Sequence, residues 1–314
     1  MQRHIVKRLF HLIPILLGIT FLSFAMMRMA GSDAVIQKYD NTGLAVSQEI
    51  IDAERARLGL DKSFWAQYLS WLKGLATGDM GVSYVSGKNV FATFKSKLPA
   101  TLLLTATSIL LTIVVSIPLG ILAAVKQNTL TDYLLRVFSF IGNSMPNFFV
   151  GLVLMYLMAI KLGLLPVITM GVSLKSAVLP TLTLTIAMAA KYLRQVRATV
   201  LDELSKEYVI GERARGIRFS STLWKSVLRA SFITIITLLA LSIGSLLGGT
   251  AIVESIFMWD GVGKLAVDSI NMRDYPMIQA YVVWMAIIYV GFNLITDISY
   301  SILDPRIRLG GDEA

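Results

Sequence analysis

Five stretches of this chain carry no Asp, Glu, Lys or Arg over a length that matches a lipid bilayer: residues 9–27, 99–125, 137–160, 230–253 and 275–296. A helix needs about 20 apolar residues to cross a hydrocarbon core of roughly 30 Å. Backbone polar groups in lipid must be satisfied within the segment, and these runs are too long and continuous for alternating barrel strands. Each is therefore predicted to be a helix. A sixth, shorter run, 176–190, is followed by Lys191, Arg194 and Arg197. It reads as a span that leaves the membrane still helical, with Lys191 reaching back to the interface. The predicted fold is all-α, a polytopic membrane protein with six transmembrane helices.

The net charge of +9 would suit nucleic acid, but the placement of the cations argues for lipid and against nucleic acid. Lys191, Arg194, Arg197, Lys206, Arg213, Arg215, Arg218, Lys225 and Arg229 share one loop. Arg3, Lys7 and Arg8 precede the first run, and Arg306 and Arg308 follow the last. Cationic loops stay in the cytoplasm. Both termini and the 191–229 loop are thus expected inside, in a multi-pass protein of the cell membrane. The first run, 9–27, exceeds the roughly 7–15 apolar residues of a cleaved signal peptide, so it is expected to remain as a span.

Between the first two runs, residues 30–98 form an expected external segment with two short helices. Ser47 caps 48–58, ended by Gly59, and Ser63 caps 64–75, ended near Gly78. Phe64, Tyr68, Trp71, Leu72 and Leu75 recur at helical spacing. Their face is expected to pack on the outer ends of the spans or to meet a delivery protein. Residues 126–136 make a short internal loop, and 161–175 and 254–274 make external ones. The chain divides into 1–97 (first span and external segment), 98–304 (membrane core with a cytoplasmic helix near 204–217) and 305–314 (cytoplasmic tail).

Several chemistries are missing. There is no cysteine, which excludes disulfides and thiolate metal sites. A phosphate loop needs G-x-x-x-x-G-K-[ST]; Gly81 to Gly87-Lys88-Asn89 is one residue too long and lacks the hydroxyl. His4 and His11 are the only histidines, and no catalytic constellation stands out. No metal site and no cofactor are expected on this chain.

What remains is the polar loop between two membrane runs. Glu207, Tyr208, Gly211, Glu212, Arg213, Ala214 and Gly216 outline a helix with a glycine stop, either a solvated basic loop or a rigid lever that passes a partner's motion to the spans. The loop resembles the cytoplasmic coupling segment of ABC-importer permeases. It is similar to the Y-V-x-x-A-R-A-x-G-L variant of the peptide and nickel branch, in Tyr208-Val209, Arg213-Ala214 and Gly216, with Leu228-Arg229 following. Glu212 stands where that branch usually has a small residue.

The likeness runs from about Arg8 to Arg308. It includes Gly78-Asp79-Met80-Gly81-Val82-Ser83, Leu98-Pro99-Ala100-Thr101, Ser144-Met145-Pro146-Asn147-Phe148, Glu254-Ser255-Ile256-Phe257, Arg273-Asp274-Tyr275-Pro276 and Leu303-Asp304-Pro305-Arg306. The chain looks most like the first of the two permease subunits of nickel importers. The resemblance implies a type I ABC permease fold in the inner membrane. It also implies a second homologous permease, two ATPase subunits that hold ATP and magnesium, and an external substrate-binding protein. Nickel, free or chelated, is the expected cargo and a di- or oligopeptide the alternative. A stand-alone ion-coupled carrier is the rival of another class.

Candidate path residues follow from polar groups in apolar runs. Pro146 removes a backbone hydrogen bond inside the third run, and Asn143, Ser144 and Asn147 could re-satisfy it or face a polar cavity. Gly244 and Gly248 have the spacing of close helix contacts, an interface or a substrate contact. Asn293 and Asp297 lie one turn apart, for pairing with the basic loop or for cation passage. Glu254 and Asp260 could meet a cation at the outer mouth, and Asp260 could cap a helix over 261–270.

Overall fold

The computed structural model describes residues 2–29, 35–36, 39, 46–167 and 171–303, with the side chains at 2–12, 233, 238–245, 247–249 and 295–303 outside the description. The His4 and His11 side chains and the 305–314 tail therefore lie outside the described residues. The helices are α1 (Gln2–Met29), α2 (Gln48–Arg57), α3 (Phe64–Thr77), α4 (Val90–Val125), α5 (Leu130–Ser144), α6 (Asn147–Leu154, continued by π turns Met155–Lys161) and α7 (Leu174–Leu204). They continue with α8 (Glu207–Ala214), α9 (Phe219–Thr222, passing through π turns Leu223–Val227), α10 (Leu228–Ile256), α11 (Val262–Asn271) and α12 (Tyr275–Leu303). There is no strand among the described residues beyond one isolated bridge, Val82 to Asn89.

Five of the six apolar runs fall within single helices. Val90–Val125, Leu174–Leu204 and Tyr275–Leu294 are each long and apolar enough to cross a membrane, and Ile13–Met29 is a shorter apolar helix. The third run corrects the expectation of a single kinked span. Its halves, Leu130–Ser144 and Asn147–Lys161, meet at 104°. A proline disfavours helical backbone at the residue before it, and Met145 is extended at φ −86 and ψ 132. Pro146 is not inside a helix but caps α6, its carbonyl accepting the Phe149 and Val150 amides. The loop before α5 is also shorter than expected, closing through Asn128 at φ 61.

The chain forms two compact units, Met1–Thr101 with Asp260–Gly291, and Leu102–Trp259 with Phe292–Ala314. In the first, α3 lays its aromatic face on α1. Phe21 and Phe24 meet the Phe64 and Tyr68 rings edge to face at 5.3–6.0 Å, and the Tyr68 hydroxyl lies 3.2 Å from Thr20 Oγ1. Ser63 caps α3 through the Ala66 amide. Ser47 precedes α2 without a side-chain cap bond. Two sequence pieces far apart are joined at Asp274, which accepts from Ser83 Oγ and from the Tyr84 amide at 3.0 Å. Burial pushes the Asp274 carboxyl up from its ordinary range, against the pull of these donors.

Asp260 does not cap the next helix. The N-cap of α11 is Gly261 without a side-chain bond, and Asp260 instead pairs with Lys97. Thr101 Oγ1 accepts the Val262 amide at 2.9 Å and so does the capping from another helix.

In the second unit α7 packs against α5, α6 and α10. Small residues set the spacing. A Cβ on Gly120 would sit 2.7 Å from the Val196 side chain and 3.0 Å from the Leu193 carbonyl, and one on Gly142 would sit 2.9 Å from the Ala190 Cβ. Close backbone approach of this kind holds helices together in lipid, where apolar burial drives little. Gly120→Ala is expected to lower the thermal stability of the detergent-solubilised protein by about 1–3 kcal/mol. Gly211→Ala, where a Cβ meets nothing within 4 Å, is the control and should leave stability unchanged or higher.

Candidate coupling site

α7 starts on a capping box, with the Ser176 amide 3.1 Å from Ser173 Oγ and the Ser173 amide 2.8 Å from Ser176 Oγ. It runs without a break through Lys191, Arg194 and Arg197 to Leu204. The chain then turns at Ser205 and Lys206 and restarts as α8. Glu203, 7% exposed, ties this corner. Lys206 Nζ lies 2.6 Å from its Oε2, and the Tyr208 hydroxyl donates to Oε1 at 2.9 Å. The bond to Glu203 pushes the Lys206 amine up. Burial, then the bond to Glu203, pushes the Tyr208 phenol well above its usual range.

One side of α8 is sunk into the core. Val209 is 1% exposed and belongs to a cluster with Ala124 of α4, Val196 and Val200 of α7, Leu223, Val227 and Ile235. Glu212 faces the same way. Ser226 Oγ donates to its Oε1 at 2.7 Å, and the Thr222 and Ser226 hydroxyls hold its carboxyl below the ordinary glutamate range. The residue that departs from the expected pattern is thus a tie between α8 and the turns that lead into α10.

Gly216 ends the segment at φ +75. Its amide bonds to the Arg213 carbonyl at 3.0 Å, and the Ile217 amide to the Glu212 carbonyl at 3.1 Å. This crossed pair is the glycine-dependent helix stop. Beyond it the Arg213 guanidinium lies 5.2 Å from the Phe219 ring centroid. The outward side presents Glu207, Ile210, Ala214 and Arg215, all exposed, with Gly211 half-buried. The geometry suits mechanical transmission: one face is open to a partner and the other is fixed to α4, α7 and the start of α10.

The path candidates fare unevenly. Asn143, Ser144 and Pro146 are exposed and Asn147 is half-buried at the α5–α6 break. Glu254 is fully buried, and its carbonyl accepts the Trp259 amide at 2.8 Å. It does not line an open mouth of this chain. Asn293 is half-buried in α12. Gly248 lies in α10 and Asp297 in α12, and their surroundings fall outside the described residues, as do those of Gly244. Among the described residues no group of three or more His, Cys, Asp or Glu could hold a metal ion.

The sequence reading passes over Asp132. It is 0% exposed and takes both oxygens to Arg197, at 2.7 Å from Nε and 2.9 Å from Nη2. The Asn128 amide adds a bond at 3.0 Å, and Arg136 Nε stands at 3.6 Å. This clamp joins the start of α5 to α7 seven residues before its end. Asp132 is the lone carboxylate of the basic 126–136 stretch, the one signal that could have found it.

Comparison with known proteins places these elements. Residues 116–309 match the family model for the binding-protein-dependent transport system inner membrane component, and residues 1–105 match the model for its N-terminal part. The oligopeptide transport system permease protein AppB of Bacillus subtilis is 38% identical over 98% of this chain and all of its own length. The glutathione transport system permease protein GsiC of Escherichia coli K12 is 35% identical over 98% of this chain and 99% of its own. A solved inward-facing structure of the MetNI methionine ABC transporter superposes with a TM-score of 0.55 at 16% identity, covering 68% of this chain and 96% of that one.

Proposed function

Because this chain belongs to the family of binding-protein-dependent transport system inner membrane components, the permeases of ABC importers, we propose that it forms part of the membrane pathway of a peptide importer. One observation carries the cargo: permeases named for oligopeptide and for glutathione transport share more than a third of its residues across 98% of its length. The expectation of nickel finds no support in those names, whereas the peptide alternative does.

In this reading the chain is not an enzyme. A second permease completes the pathway, two ATPase subunits hold ATP and magnesium, and an external binding protein delivers the cargo. ATPase closure presses on the outward side of α8, and the ties through Val209, Glu203 and Glu212 carry that displacement into α4, α7 and α10. The spans then alternate between outward and inward access.

The complete complex reconstituted in liposomes tests the cargo. Saturable, ATP-dependent uptake of a labelled tripeptide is expected, with no uptake of radioactive nickel. Nickel uptake without peptide uptake would restore the first expectation, and uptake without ATP would restore the stand-alone carrier.

Topology has its own test, made simple by a chain without cysteine. Single cysteines at Ser86 and Lys175, both exposed, are expected to react with an impermeant reagent in intact cells. One at the exposed Ser220 is expected to react only after lysis. Lys175 is preferred to Ser173 because Ser173 caps α7. Labelling of Ser220 from outside would reverse the proposed orientation.

A further inference from the structure

The first unit contains a cavity of about 430 Å³, within the roughly 300–1,000 Å³ range of small-ligand sites. Trp71 and Tyr84 are among its walls. Gln279, on the first turns of α12, also lines it and is only 6% exposed. Its side-chain amide makes no hydrogen bond among the described residues. Its polar atoms are not among the fully enclosed ones, so they stay open to the cavity and are available to a bound group.

The lining carries charges of both signs. Arg28 and Lys62 contribute cations and Asp79 a carboxylate. Lys62 makes no ion pair among the described residues, and its loop is fixed because Gln67 Nε2 donates to the Leu60 carbonyl at 3.1 Å and the Lys62 carbonyl at 2.6 Å. The Arg28 guanidinium lies 5.5 Å from the Phe24 ring centroid. Asp79 accepts the Gly81 amide at 2.9 Å through one oxygen.

Aromatic walls, an unpartnered amide and opposite charges on one lining match a small zwitterion with an apolar side chain. They suit neither a bare metal ion nor a simple anion. We propose that this cavity binds a free short peptide, its terminal carboxylate held by Arg28 and Lys62, its ammonium by Asp79, and a backbone amide by Gln279. The inference rests on the peptide reading of the cargo and adds a peptide site within this subunit itself.

Calorimetry on the complete transporter, without its binding protein, tests it with Ala-Ala-Phe and the same peptide amidated at its C-terminus. Saturable binding of the free acid is expected. The amide, and the Arg28→Gln/Lys62→Gln variant, should each bind about tenfold more weakly, the scale of a charged hydrogen bond. Gln279→Leu should weaken binding of both peptides alike; if it fails to fold, the exposed rim variant decides. No saturable binding, equal binding of acid and amide, or an unaffected rim variant overturns the inference. Uptake of Ala-Ala-Phe by the full system without cavity binding overturns the inference and leaves the peptide reading standing. Loss of all peptide uptake overturns that reading, and the calorimetry then judges the cavity by itself.

Discussion

Gly216→Val is expected to reduce transport about tenfold or more, the effect of a little over one kcal/mol at the rate-limiting step, while the amount of chain in the membrane stays the same. At φ +75 a non-glycine residue carries a strain of about 1–3 kcal/mol, and a β-branched one is a genuine outlier. Nothing lies within 4 Å of a Cβ there, so the effect comes from backbone strain and not from a clash. The strain is relieved by undoing the crossed bonds to Arg213 and Glu212, which frees the end of α8 from the turn before α9. Gly216→Asn is the control, because asparagine tolerates the left-handed region, and it should keep most of the transport. Equal transport by the valine variant at equal abundance would count against a coupling role for α8.

Arg197→Ala is expected to destabilise the protein by about 3–5 kcal/mol, the scale for stranding one member of a buried ion pair. Asp132 is the member left behind, and it is fully buried. Arg136 at 3.6 Å and the Asn128 amide compensate only in part. Asp132→Ala should cost less, because the Arg197 side chain keeps 16% exposure and can reach water. Asp132→Asn combined with Arg197→Gln removes both charges, so that neither is stranded, and should recover part of the loss. The thermal midpoint of the detergent-solubilised complex reads all three. Additive single and double losses would mean that the two groups do not act as a pair.

Local features were legible in the sequence. Uncharged runs marked the long helices because lipid admits little else. Gly59, Gly78 and Gly216 were expected to stop helices, and all three have positive φ. What eluded the sequence was pairing across distance. The cap of α11 is Thr101, which lies far back on α4, whereas local spacing pointed to the adjacent Asp260. Asp132 and Arg197 sit on different helices, so neither neighbourhood announces the other. Gly120 and Gly142 read as unremarkable residues of long helices, and only the packed structure shows the Val196 and Ala190 side chains that need the space. Pro146 foretold an interruption but not its 104° size. The cargo was least legible, because no cluster of ligating residues in this chain declares one.

The right-angle break between α5 and α6 also bears on how the protein is made. Exposed Asn143, Ser144 and Pro146 interrupt an apolar stretch where helical bonding stops. Hydrocarbon offers such groups nothing, so irregular backbone persists at depth only under protein or beside water. A newly inserted copy without its partner permease thus carries an uncovered polar notch. A partner that covered this notch would make an assembled copy differ from an orphan one at a polar surface within the apolar stretch.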